Sequence, residues 1–222
     1  MIARFVPQPG RLVMPDVRCD LAWVDERVIL IGPMTHATPS RESRHPIVVA
    51  SFDPIAVRGW LNIPLHLITD RSIPLADIEP TLARSFAEKF FAESTEALAL
   101  PGERAPAFKL NRRLAWAVAK LRYGATVRAT AAAVECSERQ LERVFQSELG
   151  LTPKLFARIV RLRRGLAAAK SGATLASAAA NAGYADQSHF TRETQAFMSG
   201  SPSSLLQNVG NVQDILHGKM AD

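Results

Sequence analysis

Two textures of hydrophobic spacing divide the chain. Before Ile78 the apolar residues come in short runs, Asp20–Val24, Val28–Ile31 and Ile47–Phe52, rich in β-branched side chains and separated by Asp, Pro, Gly and Ser clusters. Such runs predict short strands. From Ile78 to Leu98 the positions Leu82, Phe86, Phe90 and Phe91 follow helical spacing and predict a helix. Leu100-Pro101-Gly102-Glu103-Arg104-Ala105-Pro106 stops it and reads as a linker. Beyond the linker the chain is rich in Ala, Leu and Arg, and about seven helical segments lie between Asn111 and Leu206. The pattern predicts an α+β domain over 1–100, with a thin core of three or four strands and a closing helix. A linker over 101–109, an all-α domain over 110–208 and a tail over 209–222 follow.

The helical part repeats itself. Thr126–Ser137 followed by Glu138–Phe145 corresponds to Thr174–Asp186 followed by Gln187–Thr194. Thr126 matches Thr174 and Ala131 matches Ala179 at an offset of 48; one extra residue in the second turn brings Leu141 to Phe190 and Arg143 to Arg192 at 49. Each copy has the parts of a helix-turn-helix. Thr126 and Thr174 are expected to cap a first helix, and Ala131 and Ala179 are small where two helices must cross. Ser137 with Gln140 is a capping-box pattern for a second helix, and Asp186 is the expected cap in the second copy. Leu141, Val144, Phe145 and Leu149 then form one apolar face. The opposite face carries Arg139, Gln140, Glu142, Arg143 and Gln146, and in the second copy Gln187, Ser188, His189 and Arg192. These residue types hydrogen-bond base edges and phosphates in a major groove. Pro153–Ala169 is expected to be a spacer helix roughly 25 Å long, able to hold two recognition helices in grooves about 34 Å apart.

Charge strengthens this picture. Residues 1–106 carry a net −2 and residues 107–222 a net +8, which together give the +6 of the 222-residue chain. A basic half beside a near-neutral one is what a nucleic-acid-binding domain joined to a partner domain presents.

Leu149-Gly150-Leu151-Thr152-Pro153, the spacer with Arg158, Arg161 and Arg163, Gly183-Tyr184-Ala185-Asp186-Gln187-Ser188-His189-Phe190-Thr191-Arg192-Glu193, and the Ser201-Pro202 pair strongly resemble the AraC/XylS family of bacterial transcription regulators. The resemblance covers roughly 110–206. It implies a seven-helix DNA-binding domain with two helix-turn-helix units linked by a long helix. The usual base-contacting slots fall on Arg139, Gln140, Glu142 and Arg143, and on Gln187, Ser188, His189 and Arg192. Candidates for phosphate contact are Thr126, Thr174, Arg158 and Arg161, with Arg163 and Arg164 nearby. Three residues depart from the family pattern: Thr194 stands where a buried aromatic is usual, and Glu135 and Ser199 stand at glycine positions. The N-terminal half resembles, through Pro15-Asp16, Asp20–Trp23, Gly32-Pro33, Phe52-Asp53-Pro54 and Pro74–Asp77, a short domain that precedes this module in some regulators. In the family that half dimerises or senses an effector. The implied partners are double-stranded DNA, RNA polymerase, a small-molecule effector and a second copy of the chain.

Other chemistry finds little support. His36, His45 and His66 lack the close His-x-His pair and nearby Glu of a cupin-type metal site. Cys19 and Cys136 are 117 positions apart and form no CxxC pair. Cys136 is expected to pack inertly under the recognition helix. Cys19, between Arg18 and Asp20, is the more reactive candidate and supports the alternative function, a DNA-associated thiol sensor or alkyl-acceptor repair protein. That chemistry wants a Cys-rich metal site or a Pro-Cys-His-Arg motif, and neither is present. No catalytic triad, phosphate-cradling loop or paired-carboxylate site emerges, so neither an enzyme nor a cofactor is expected. With no secretory leader and no apolar span of about 18 residues, the expectation is a soluble cytoplasmic protein without a membrane partner.

Overall fold

The computed structural model describes residues 2–5, 12–40, 47–91 and 112–208. The N-terminal part is built on an antiparallel sheet ordered β1-β6-β3-β4-β7, with β1 at Ile2–Phe5, β3 at Cys19–Val24, β4 at Arg27–Ile31, β6 at Ile47–Phe52 and β7 at Ser72–Pro74. A separate two-stranded ladder pairs β2 (Leu12–Val13) with β5 (Thr38–Pro39). The three expected strands are thus β3, β4 and β6, but the sheet is larger than the three or four strands expected. Strands β3 and β4 form a hairpin in which Trp23 faces Val28. Its two turn residues, Asp25 and Glu26, have φ of 49° and 60°, the left-handed pair that tight hairpins require.

One face of the sheet, with Cys19, Leu21, Leu30 and Phe52, packs on helices α1 (Pro54–Leu61) and α2 (Pro80–Phe91) through Val57, Leu61, Ala83 and Phe86. Helix α2 is the expected closing helix; residues 92–98 of that expectation, the linker over 101–109 and the tail over 209–222 lie outside the described residues. Helix α1 was not anticipated. Asp53 caps it by accepting from the Ile55 N–H at 2.9 Å, and Pro54 opens its first turn.

Seven helices are described over 112–208, the number expected: α3 Arg112–Arg122, α4 Val127–Ala133, α5 Glu138–Leu149, α6 Pro153–Lys170, α7 Leu175–Ala182, α8 Gln187–Met198 and α9 Pro202–Asn208. Their core includes Phe145, Phe156, Ile159, Leu162 and Phe190. The predicted small residues at the crossings, Ala131 and Ala179, are both buried. Gly165 serves the same end on α6, since a Cβ there would lie 2.7 Å from Phe190. Met14, Val17 and Ile55 of the N-terminal part belong to this core, so the two parts share one apolar seam. Among the described residues no helix is long and apolar enough to cross a membrane.

Candidate nucleic-acid interface

The first unit, α4–α5, is set by its caps. Thr126 accepts from the Ala129 N–H at 3.1 Å. Ser137 Oγ accepts from the Gln140 N–H at 3.2 Å, while the Ser137 N–H donates to Gln140 Oε1 at 2.9 Å. This is the expected capping box, and it occupies the Gln140 carbonyl, leaving its amide N–H groups as the outward donors. Between the helices Glu135 has φ +53°, which is why a glycine is usual at this position. Its carboxylate lies 3.3 Å from Arg113 on α3. Leu141, Phe145 and Leu149 are buried, and Arg139, Gln140, Glu142, Arg143 and Gln146 are all exposed along one side of α5.

The second unit, α7–α8, follows the same plan. Thr174 caps α7 and Asp186 caps α8, accepting from the His189 N–H at 2.6 Å. Gln187, Ser188 and Arg192 are exposed. His189 is half-buried, its ring edge-on to Tyr184 at 5.2 Å. Thr194 is fully buried, and its hydroxyl finds a partner inside the helix, donating to the Phe190 carbonyl at 2.8 Å. Ser199 ends α8 with φ +55°, again a glycine geometry adopted by another residue.

Between the units the spacer α6 faces a groove of about 690 Å³ whose lining includes Lys154, Arg158, Arg161, Arg164, His189 and Glu193. Glu193, the last residue of the Gly183–Glu193 motif, organises it. Its buried carboxylate accepts from Arg158 Nε at 2.8 Å and from Arg161 Nη2 at 2.9 Å. Arg158 and Arg161, spaced i and i+3, thus reach the groove with part of each guanidinium committed to Glu193. Thr126 also lines the groove, whereas Thr174 is exposed elsewhere at the start of α7. Arg164 donates to the carbonyl of Arg122, holding the C-terminal end of α3. Arg163 turns away, toward the Pro15 carbonyl of the N-terminal part at 3.4 Å.

That seam holds buried charge. Asp16 and Asp20 are both buried, and Arg18 donates to the hydroxyl and carbonyl of Ser51 beside them. Burial, and then the neighbouring Asp16, lifts the Asp20 carboxyl to about 7. Asp16 is also raised by burial, with Arg163 of α6 opposing the shift.

Cys19 does not have the reactivity expected from its sequence neighbours. It is fully buried in β3, and burial, reinforced by Asp20 and Asp16, pushes its thiol well above the usual range. A reactive thiol needs the reverse, so the sensor and alkyl-acceptor alternatives lose their nucleophile. Cys136 packs against the helical core as expected, but it is only half-buried rather than enclosed. His36 lies 3.5 Å from Asp70, and His45 is outside the described residues. Among the described residues no three His, Cys, Asp or Glu side chains group as a metal site.

The model of a family described as a helix-turn-helix domain matches residues 130–208. No curated protein matches the chain. Similar solved structures include a probable AraC family transcriptional regulator from Rhodopseudomonas palustris CGA009, 25% identical over 43% of this chain and 95% of that one, with a TM-score of 0.38. The DNA-binding domain of AdpA, the global transcriptional factor, in complex with a target DNA is 20% identical over 43% of this chain and 87% of that one, TM-score 0.38. ToxT from Vibrio cholerae is 11% identical over 94% of this chain and 97% of that one, TM-score 0.47. Two capped helix pairs and a family model over 130–208 together place a helix-turn-helix domain in this stretch of the chain.

Proposed function

We propose that the chain is a transcription regulator that binds double-stranded DNA sequence-specifically by inserting α5 and α8 into adjacent major grooves. The observation that carries this is the pairing of two capped helix-turn-helix units, each with an exposed polar face, on an 18-residue spacer helix. At 1.5 Å per residue that spacer is about 27 Å long, compatible with reading heads one helical turn of DNA apart. In this reading Arg139, Gln140, Glu142, Arg143, Gln146, Gln187, Ser188, His189 and Arg192 face bases, and Thr126, Thr174, Arg158 and Arg161 face phosphates. Arginines read guanine bidentately, and glutamines read adenine.

The domain over 1–100 modulates this binding, through a second copy or a small-molecule effector. Its contacts support a direct mechanical route. The Thr69 hydroxyl and Arg58 meet the end of α5 at Gly150 and Glu148, and the Ala37 N–H donates to the Phe197 carbonyl near the end of α8 at 2.8 Å. Anything that shifts the N-terminal part therefore pulls on both recognition helices.

The test is selection by the full-length chain from a randomised duplex DNA library at moderate salt. The reading predicts one bipartite motif with half-sites about 10 base pairs apart. Retention of DNA without any shared motif would overturn sequence-specific readout.

A further inference from the structure

The second recognition helix and the spacer are joined through one buried carboxylate. Glu193 of α8 is 5% exposed, and both its oxygens face α6, one on Arg158 and the other on Arg161. Each guanidinium is backed by a ring: Arg158 lies over Phe197 at 4.8 Å, and Arg161 over Tyr184 at 4.5 Å. Tyr184 precedes α8 and Phe197 sits near its end, so the two cations touch both ends of the recognition helix while Glu193 holds them at its middle. On the same side His189 Nε2 stands 3.4 Å from Glu193 Oε2.

Apolar contacts are non-directional and tolerate small rolls and slides of a helix. A planar guanidinium held between a carboxylate and an aromatic face does not, because its donors form a rigid fork. The first unit is built differently. At the offset of 49 that aligns the recognition helices, Glu193 corresponds to Val144, which packs against the apolar core.

We infer that Glu193 is a positioning residue for DNA readout. Through Arg158 and Arg161 it fixes the roll and axial position of α8 against α6, and so sets the spacing between half-sites that the protein accepts. The inference rests on the two-helix reading above.

The test takes the bipartite site that the wild-type full-length chain selects from a randomised library, and versions with one base pair inserted or removed between the half-sites. One base pair turns the second half-site by about 35°. The wild-type protein is expected to lose roughly tenfold in affinity or more on either shift. In Glu193→Gln the ratio between the selected spacing and the shifted ones is expected to fall toward unity, whatever happens to absolute affinity. Arg161→Gln breaks the same link from the spacer side, at a residue whose side chain is 31% exposed, and is expected to do the same; it carries the test alone if Glu193→Gln does not fold. A residue that only supports stability would lower binding to every spacing by one factor. A wild-type spacing ratio in a folded variant therefore overturns the inference. Failure of the wild-type chain to select any bipartite site would overturn the two-helix reading first, and this inference with it.

Discussion

Thr69 Oγ1 donates to the carbonyl oxygen of Gly150 at 2.8 Å, across 81 residues of chain, and to the Leu65 carbonyl at 3.1 Å. Gly150 is the left-handed residue, φ +72°, that ends the first recognition helix. One hydroxyl thus ties the end of that helix to the N-terminal part, and Arg58 Nε at 3.6 Å from Glu148 runs beside it.

The site tolerates no side chain. A Cβ at Gly150 would lie 2.5 Å from Thr69 Oγ1 and 3.0 Å from the Leu65 carbonyl, in a backbone geometry that already disfavours one. Gly150→Ala is expected to cost about 1–3 kcal/mol. Thr69→Val, which strips the donor and leaves the carbonyl uncompensated, is expected to cost about 1–2 kcal/mol. Thermal unfolding checks both: each kcal/mol should lower Tm by about 2–4 °C in a chain of this size. Unchanged midpoints would mean that the seam bears no load.

Buried Asp20 makes stability depend on pH in the direction opposite to a salt-bridged acid. With its carboxyl lifted from the usual 3.8 to about 7 by burial and by Asp16, the folded chain keeps a proton that the unfolded chain has released. The contribution of this group is full below about pH 4 and is lost as pH rises through about 7. Asp20→Asn mimics the protonated form, and one Asp20 oxygen has no hydrogen-bond partner to lose. The variant is expected to gain thermal stability over wild type as pH goes from 5 to 8. A difference constant with pH would contradict the burial argument.

The helical part was legible because its signals are local. Ser137 with Gln140, Thr126, Thr174 and Asp186 announce helix starts through side chains that bond three residues away, and the apolar period then runs on. Even the departures carried information: Glu135 and Ser199 stand at glycine positions, and the chain bends there with positive φ. The N-terminal part was harder, since β2, β5 and β7 run only two or three residues and show no alternation. The start of α1 was readable in Asp53-Pro54, an N-cap followed by the proline that favours a first turn. Glu193 was not readable by residue type, since an acid on an amphipathic helix is ordinarily placed outside; its burial depends on two arginines some thirty-odd positions away.

The two thiols should differ sharply. Cys19 is fully buried with its pKa pushed up by burial, while Cys136 is only half-buried. With a disulfide thiol reagent under native conditions, Cys136 is expected to react first and Cys19 only at the rate at which the sheet opens. Mass spectrometry of partly labelled protein distinguishes them. Rapid native labelling of Cys19 would restore the thiol-based function set aside above.

Arg143 and Arg192 occupy matching exposed positions on α5 and α8. Each Arg→Ala variant is expected to lose about 1–3 kcal/mol on the selected DNA and to relax preference within one half-site only. Uniform loss across sequences, with a shallower salt dependence, would instead make that arginine a phosphate contact.

The most direct test of the central claim is the affinity of the full-length chain for its selected site with each half-site scrambled in turn, at fixed salt. Readout by both α5 and α8 predicts that either scramble alone weakens binding by roughly tenfold or more. If one half can be scrambled without loss, only one helix reads sequence and the two-groove account is wrong.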